Sequence, residues 1–203
     1  LISGLFFELT TIGNIALALG VSSLAISIIA FGDGFALPKI NENTRYRNIK
    51  RNHIHYLLRF WQVLFYISSI IAISIFVLSD FIVLVIGGSQ YEEASDILKW
   101  LTVLISLRSL GVLRTILYLL NETEKVVLYS GFRMLIEISL SFVIFEYLGP
   151  AGLAFSLSLG MLTYGYFLIN KLNSEDVRFK RVLRKILLYQ IIVGLALIGI
   201  NIL

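Results

Sequence analysis

The chain has 203 residues, of which 58% are hydrophobic and 15% are charged. With a mean hydropathy of +0.87, this much apolar surface excludes an ordinary water-soluble domain, and lipid is the predicted solvent. The formal net charge of +4 does not indicate a nucleic-acid partner, because the basic residues cluster at the ends of apolar segments. The lack of cysteine excludes disulfides, thiol catalysis and thiolate metal sites.

Long apolar stretches separated by short polar joints predict an all-α membrane protein. Windows such as 9–31, 60–79 and 186–203 reach or approach the roughly 20 residues that a helix needs to cross the hydrocarbon core. A transmembrane β-barrel would alternate apolar and polar residues, and neither 60–78 nor 198–203 does so. The predicted fold is therefore an integral membrane helical bundle of about six transmembrane helices.

In chain order, the predicted segments cover residues 4–36, 54–79, 91–120, 124–147, 150–170 and 182–203. The first is expected to end at Leu37, because the residue before a proline is disfavoured in helical geometry. Ser79 and Asp80 are predicted to cap a short second helical piece over 81–86, which the glycines at 87–88 end.

Two features mark the later helix boundaries. The polar residues 121–124 predict a tight turn between the third and fourth segments. The chain is broken again at 148–150, and Pro150 suits the first turn of the fifth segment.

The charges of the joints predict an orientation in the membrane. Two joints, 38–59 and 171–185, are rich in Lys and Arg and are expected to be cytoplasmic. Alternation then places the joint 87–92 outside, the turn 121–125 inside and the joint 147–150 outside. Every joint fits this parity.

Both ends of the sequence lie in apolar stretches and are placed outside by the same parity. We therefore expect residues 1–203 to form a single transmembrane helical domain that is partial. On this interpretation it is the C-terminal bundle of a larger transporter.

Four charged side chains inside predicted spans are the candidate cavity residues: Arg108, Arg114, Arg133 and Glu137. Charges within a bilayer are costly and are usually paired or functional. At a rise of about 1.5 Å per residue, Arg108 and Glu137 reach similar depth near the bilayer middle, where an antiparallel hairpin could bring them together. Arg114 and Arg133 are expected nearer the cytoplasmic side.

Two interpretations of these charges remain open. In the functional one, the arginines face a hydrated cavity and bind an anion, because the planar guanidinium matches phosphate oxygens. In the structural one, Arg108 and Glu137 neutralise each other, while Arg114 and Arg133 extend their side chains to the inner interface.

No enzymatic site is predicted. His53 and His55 have a spacing that a helix does not align, so a metal site is not expected. The sequence contains no P-loop, no nucleophile elbow and no zinc motif, so we expect neither catalysis nor a cofactor.

Four stretches carry a resemblance to a known family. The residues 83–100, VLVIGGSQYEEASDILKW, resemble the G-x-x-Y-x-x-A-x-x-I-L junction of bacterial and archaeal polysaccharide flippases of the O-antigen and teichoic-acid type. These belong to the multidrug/oligosaccharidyl-lipid/polysaccharide exporter superfamily. The polar turn 119–125, the G-x-x-G-x-A-like stretch 149–154 and the L-P connector 37–40 are similar to further features of this family.

This resemblance implies a function and its partners. Members move polyprenyl-linked glycans from the inner to the outer leaflet of the cytoplasmic membrane, through a cavity between two pseudo-symmetric bundles. The expected partners are a lipid-linked glycan with its polyprenyl pyrophosphate, membrane lipid and the missing N-terminal half of the transporter. The anionic pyrophosphate suits Arg108, Arg114 and Arg133. The last segment would be an additional helix beyond the family's core of twelve.

Two other functions would require different residues from those of a flippase. A cation-coupled multidrug exporter of the same superfamily would need mid-membrane carboxylates, and Glu137 is the only clearly central one. A membrane-embedded glycan polymerase or acyltransferase would need acid and base clusters in loops, and the exterior loops are too short to hold them.

Overall fold

The computed structural model describes residues 9–41 and 50–173, and nearly all of these residues are helical. The helices in chain order are α1 (Leu9–Asn41), α2 (Lys50–Gly87), α3 (Ala94–Leu107), α4 (Gly111–Leu119), α5 (Thr123–Leu148) and α6 (Pro150–Asn173). Short 3₁₀ segments lie over Ser89–Tyr91, before α3, and over Arg108–Leu110, between α3 and α4. The predicted all-α fold is confirmed.

Within the described residues, 5 segments are long and apolar enough to cross a membrane: Leu9–Ala30, Tyr56–Gly87, Ala94–Tyr118, Thr123–Leu148 and Pro150–Leu172. The third of them contains both α3 and α4. The sixth predicted segment, 182–203, lies outside the described residues. The protein is therefore a multi-pass membrane protein.

The centre of the bundle is α3, most of whose residues are buried inside the protein. Helices α1, α2 and α6 all pack against it. The largest core cluster joins Trp61 of α2, Leu113 and Ile116 of α4, and Leu168 of α6, each fully buried. Burial of such side chains stabilises by about 1.5–3 kcal/mol each in water, whereas in lipid close packing supplies more of the gain.

Helix α5 lies at the edge of the bundle. It packs along α6 and contacts α4, and of its residues only Val126, near its start, is buried. Its exposed side chains include Leu135, Ile138 and Phe142. An apolar helix surface without protein cover is what a bilayer accommodates, so this face of α5 suits contact with lipid.

The hairpin of α5 and α6 is unusually close. The two helices are joined by Gly149 alone, which adopts a φ of 55° that side-chain-bearing residues disfavour. A Cβ at Gly152 would lie 2.8 Å from the backbone oxygen of Ile144. Because the helices approach so closely, small groups on α6 face specific residues of α5 at fixed levels along the hairpin.

The predicted end of α1 at Leu37 is wrong, since the helix continues through Pro38 to Asn41. A proline biases the preceding residue away from helical geometry without forbidding it. Near the end of a helix, it removes one backbone donor at modest cost.

The predicted break at Ser79 and Asp80 is also wrong, because α2 runs without interruption to Gly87. The buried Ser79 hydroxyl donates to the Phe76 carbonyl of its own helix, at 3.0 Å, and does not act as a cap. Asp80 instead faces Lys99 of α3, with 3.1 Å between carboxylate and ammonium.

Three predicted boundaries are confirmed, whereas the predicted third segment, 91–120, is divided by the 3₁₀ segment Arg108–Leu110. Helix α2 ends at Gly87, and Gly88 follows with a φ of 79°. Asn121 has a φ of 62° in the turn before α5, a conformation that asparagine tolerates. Pro150 is the first residue of α6.

Candidate functional site

Arg108 lies where a membrane-spanning segment tightens from α-helical to 3₁₀ geometry. The α-helical geometry of α3 ends at Leu107, and Arg108 opens the 3₁₀ segment that precedes α4. The carbonyl of Ser106, just before this segment, accepts a hydrogen bond from Ser68 of α2 at 3.1 Å. Serine side chains can satisfy backbone groups in this way where the α-helical geometry of a transmembrane helix changes locally.

The Arg108 side chain has no protein partner within the described part of the chain. Its Nε atom is buried and makes no hydrogen bond, and the guanidinium forms no ion pair there. An unpaired charge in a bilayer costs several kcal/mol. Arg108 is therefore a cation that no carboxylate among the described residues neutralises.

The expected pairing of Arg108 with Glu137 does not form. Glu137 instead accepts a hydrogen bond from Arg133, four residues earlier on α5, at 2.6 Å. The prediction assumed that the third and fourth segments lie side by side, but α5 packs mainly on α6, and α3 packs on α6 as well. Helix α6 therefore stands between the two residues.

The expected similarity of depth agrees with the packing. Leu110 fills the space beside Gly165 of α6, while Glu137 fills the space beside Gly160. Arg108 precedes Leu110 by two residues, and this shifts it along α6 in the direction that leads from Gly165 to Gly160. The helical rise then puts Arg108 within about 5 Å of the level of Glu137, measured along α6. Arg108 and Glu137 therefore lie at similar depth but are separated by α6.

Arg133 and Glu137 form a partly buried pair between α5 and α6. Their side chains are 28% and 13% exposed. The Tyr164 ring of α6 lies 5.9 Å from the Arg133 guanidinium carbon, within the range of a cation–π contact. One turn further along α5, Ser141 and Ser156 share a hydrogen bond of 2.7 Å across the hairpin. A polar seam therefore runs through this helix pair.

Arg114 belongs to a different environment. It lies on α4, its side chain is exposed, and it makes no ion pair or hydrogen bond within the described residues. It is close in sequence to the turn before α5, as expected. Nothing in the described packing brings it to Arg133, so Arg114 fits the interpretation of a side chain that extends to the interface.

A charged cavity at the opposite end of the bundle was missed by sequence reasoning. It measures about 650 Å³, lies between the ends of α2 and α3, and is lined in part by Asp80, Glu92, Glu93, Asp96 and Lys99. The Lys99 ammonium lies 3.1 Å from the Asp80 carboxylate and 3.3 Å from that of Asp96. The sequence does contain a signal for this cluster, because the acidic Asp80 lies before the glycines at 87–88 and the basic Lys99 lies after them. Asp80 was instead predicted to cap a helix.

The family-like G-x-x-Y motif has a packing role in this region. The Tyr91 ring lies against α1 and α2, where a Cβ at Gly13 would come within 2.6 Å of the ring and one at Gly87 within 3.0 Å. Two glycines on different helices thus make room for one aromatic ring. This contact fastens the 3₁₀ segment to the bundle.

An ion-pair network lies at the end of the bundle that is predicted to be cytoplasmic. Glu122, in the turn before α5, lies 3.2 Å from the Lys125 ammonium and 2.9 Å from that of Lys171 at the end of α6. The Lys171 ammonium, and after it Lys125, holds the pKa of the Glu122 carboxyl below its usual range. The network ties the α4–α5 turn to α6.

Acidification is expected to release this network. A carboxyl with a lowered folded-state pKa adds stability above its unfolded pKa of about 4.3, and this is lost as the pH falls through the folded pKa. The thermal midpoint of the wild-type protein should therefore exceed that of Glu122→Gln near neutral pH, and the gap should shrink below about pH 4. Melting curves of both proteins across this range provide the measurement. A gap that stays constant with pH would contradict the assignment.

No metal site emerges from the part of the chain that the structure describes, where no three His, Cys, Asp or Glu side chains are grouped to hold an ion. The side chains of His53 and His55 lie outside that description. Comparison with known proteins gives no match to a family model, a curated protein or a solved structure.

Proposed function

We propose that this protein is part of a transporter that moves lipid-linked oligosaccharide or polysaccharide repeat units across the cytoplasmic membrane by alternating access. The observation that carries the proposal is Arg108. Its buried Nε has no partner within the described residues, and the residue opens a 3₁₀ segment inside a membrane span. A cation kept unpaired at such cost is a binding group for an anion.

The balance of charge at this depth favours an anionic cargo. Arg108 and Arg133 lie at similar depth on different helices, and the Glu137 carboxylate is already bonded to Arg133. A polyprenyl pyrophosphate presents several phosphate oxygens, each an acceptor for a guanidinium N–H. The headgroup of a lipid-linked glycan therefore matches the side chains available.

The 3₁₀ segment within this span supports a transport mechanism, because a stretch of 3₁₀ geometry inside a helix often marks a functional hinge. Arg108 is the first residue of such a segment. In this proposal the segment Arg108–Leu110 lets α4 move relative to α3, and a second bundle of the same transporter completes the cavity.

A cation-coupled multidrug exporter is the second candidate. The cavity between α2 and α3 favours it, because four of the residues that line it carry carboxylates and only Lys99 carries a positive charge. Within the membrane layer, however, Glu137 is occupied by Arg133. A drug cation would have to displace that arginine, so the anionic cargo is preferred.

A gene deletion separates the two candidates. Cells that lack the full-length protein are expected to lose surface polysaccharide, to regain it when the gene is restored, and to keep their normal resistance to cationic dyes. Surface polysaccharide is measured by gel electrophoresis and dye resistance by growth. Normal polysaccharide together with dye hypersensitivity would overturn the flippase in favour of the exporter.

A further inference from the structure

We propose that Glu137 positions the Arg133 guanidinium for a phosphate group and does not itself contact the cargo. The inference rests on the proposed function, because it assigns a task within that transporter to one residue pair. It concerns how the pair is held between α5 and α6, which the sequence did not indicate.

The hydrogen bond between the two residues uses only one edge of the arginine. Nε donates to Glu137 Oε1 at 2.6 Å, while the two terminal Nη groups make no hydrogen bond within the described residues. A guanidinium held through Nε still presents its Nη pair, and that pair can bind a phosphate in a bidentate manner. Glu137 therefore fixes the side chain while leaving its recognition edge free.

A notch in α6 holds Glu137 in place. A Cβ at Gly160 would overlap Glu137 Cγ and lie 2.7 Å from Oε1, so only glycine leaves room for this carboxylate. On the same helix, the buried ring of Tyr164 lies 5.9 Å from the Arg133 guanidinium carbon. Contacts from α6 thus reach both members of the pair.

Positioning and simple charge competition predict opposite results for one variant. If Glu137 only neutralised Arg133, its removal would strengthen anion binding, because an opposing charge would be gone. If Glu137 positions Arg133, its removal weakens anion binding, because the guanidinium must then be ordered by the ligand itself. Glu137→Ala decides between them.

The experiment uses the full-length protein in phosphatidylcholine nanodiscs, titrated calorimetrically with inorganic pyrophosphate and with farnesyl pyrophosphate. Glu137→Gln keeps an oxygen acceptor for Nε and should bind at least as tightly as the wild type. Glu137→Ala should bind about tenfold more weakly, the effect of losing one charge-assisted hydrogen bond. Gly160→Ala should show a similar loss, because its methyl group displaces Glu137.

Gly131→Ala is the matched control, since Gly131 lies on the same helix as the pair and a Cβ there meets nothing within 4 Å. It should bind as the wild type does. Glu137→Ala leaves the α6 notch intact, so the test holds even where Gly160→Ala fails to fold. Tighter binding by farnesyl pyrophosphate than by the inorganic ion supports a lipid-borne phosphate, and equal binding assigns the site to free phosphate.

Tighter or unchanged pyrophosphate binding by Glu137→Ala would overturn the positioning role, and so would a wild-type protein that binds neither probe. Neither result decides whether the protein transports a lipid-linked glycan, which the gene deletion tests separately. Surface polysaccharide that depends on the gene would still support transport with Glu137 in another role. Loss of that dependence would overturn the transport proposal itself.

Discussion

We expect the Arg108→Met variant to be more stable than the wild-type protein and yet to have lost transport. Methionine has a similar length and no charge, so it fills the space of the arginine stem without the buried, unpartnered Nε. Leaving a polar group buried and unsatisfied costs about 1–3 kcal/mol, and we expect the variant to regain about 1 kcal/mol or more. The measurements are thermal unfolding in detergent and surface polysaccharide in cells.

Arg114→Met provides the control for this experiment. Arg114 is exposed on α4, so its replacement should change stability by less than about 0.5 kcal/mol. It should leave more transport than Arg108→Met does. A destabilised Arg108→Met protein would show that Arg108 is held by structural contacts. Normal surface polysaccharide in that variant would remove Arg108 from the transport proposal.

Gly152→Val is expected to cause the largest loss of stability among the helix-interface variants. The Cβ of valine would lie 2.8 Å from the Ile144 backbone oxygen, and backbone atoms cannot rotate away as a flexible side chain can. Forcing α5 and α6 apart should cost about 2–3 kcal/mol through overpacking and would strain the hydrogen bond between Ser141 and Ser156. Thermal unfolding of the purified protein measures the loss.

The contrast with Gly131 makes this prediction specific. Gly131 is also helical, but a Cβ there meets nothing within 4 Å, so Gly131→Ala should be neutral or stabilising by about 0.5–1 kcal/mol. If Gly152→Val and Gly131→Ala melt at the same temperature, the close approach of α5 and α6 does not exist in the folded protein.

The fold was largely predictable because bilayer thickness and hydropathy fix helix length, and glycine, asparagine and proline mark the ends. Gly87, Asn121 and Pro150 mark boundaries that the structure confirms. The helix ends predicted at Pro38 and Ser79 were wrong, because each residue tolerates a helix interior when its backbone or hydroxyl groups are satisfied locally. Tertiary partners decide such cases, and no local pattern contains them.

The candidate site was only partly predictable for the same reason. Helical rise places Arg108 and Glu137 at similar depth from the sequence alone, with Arg133 nearer the cytoplasmic side. Which of them pair depends on which helices are neighbours, and the position of α6 between α3 and α5 could not be read from chain order. The 3₁₀ segment at Arg108 follows from contacts such as that of Ser68 with the Ser106 carbonyl, which join residues distant in sequence.

The proposed role of Arg108 in the transport of an anionic, lipid-linked cargo is tested most directly by leaflet translocation in vesicles. The full-length protein is reconstituted with a fluorescent lipid-linked oligosaccharide, and an impermeant quencher reports which leaflet holds the label. We predict translocation by the wild-type protein, little by Arg108→Met, and no transport of a cationic dye by either. Equal translocation by the two proteins, or movement of the dye in place of the oligosaccharide, would contradict the proposed role.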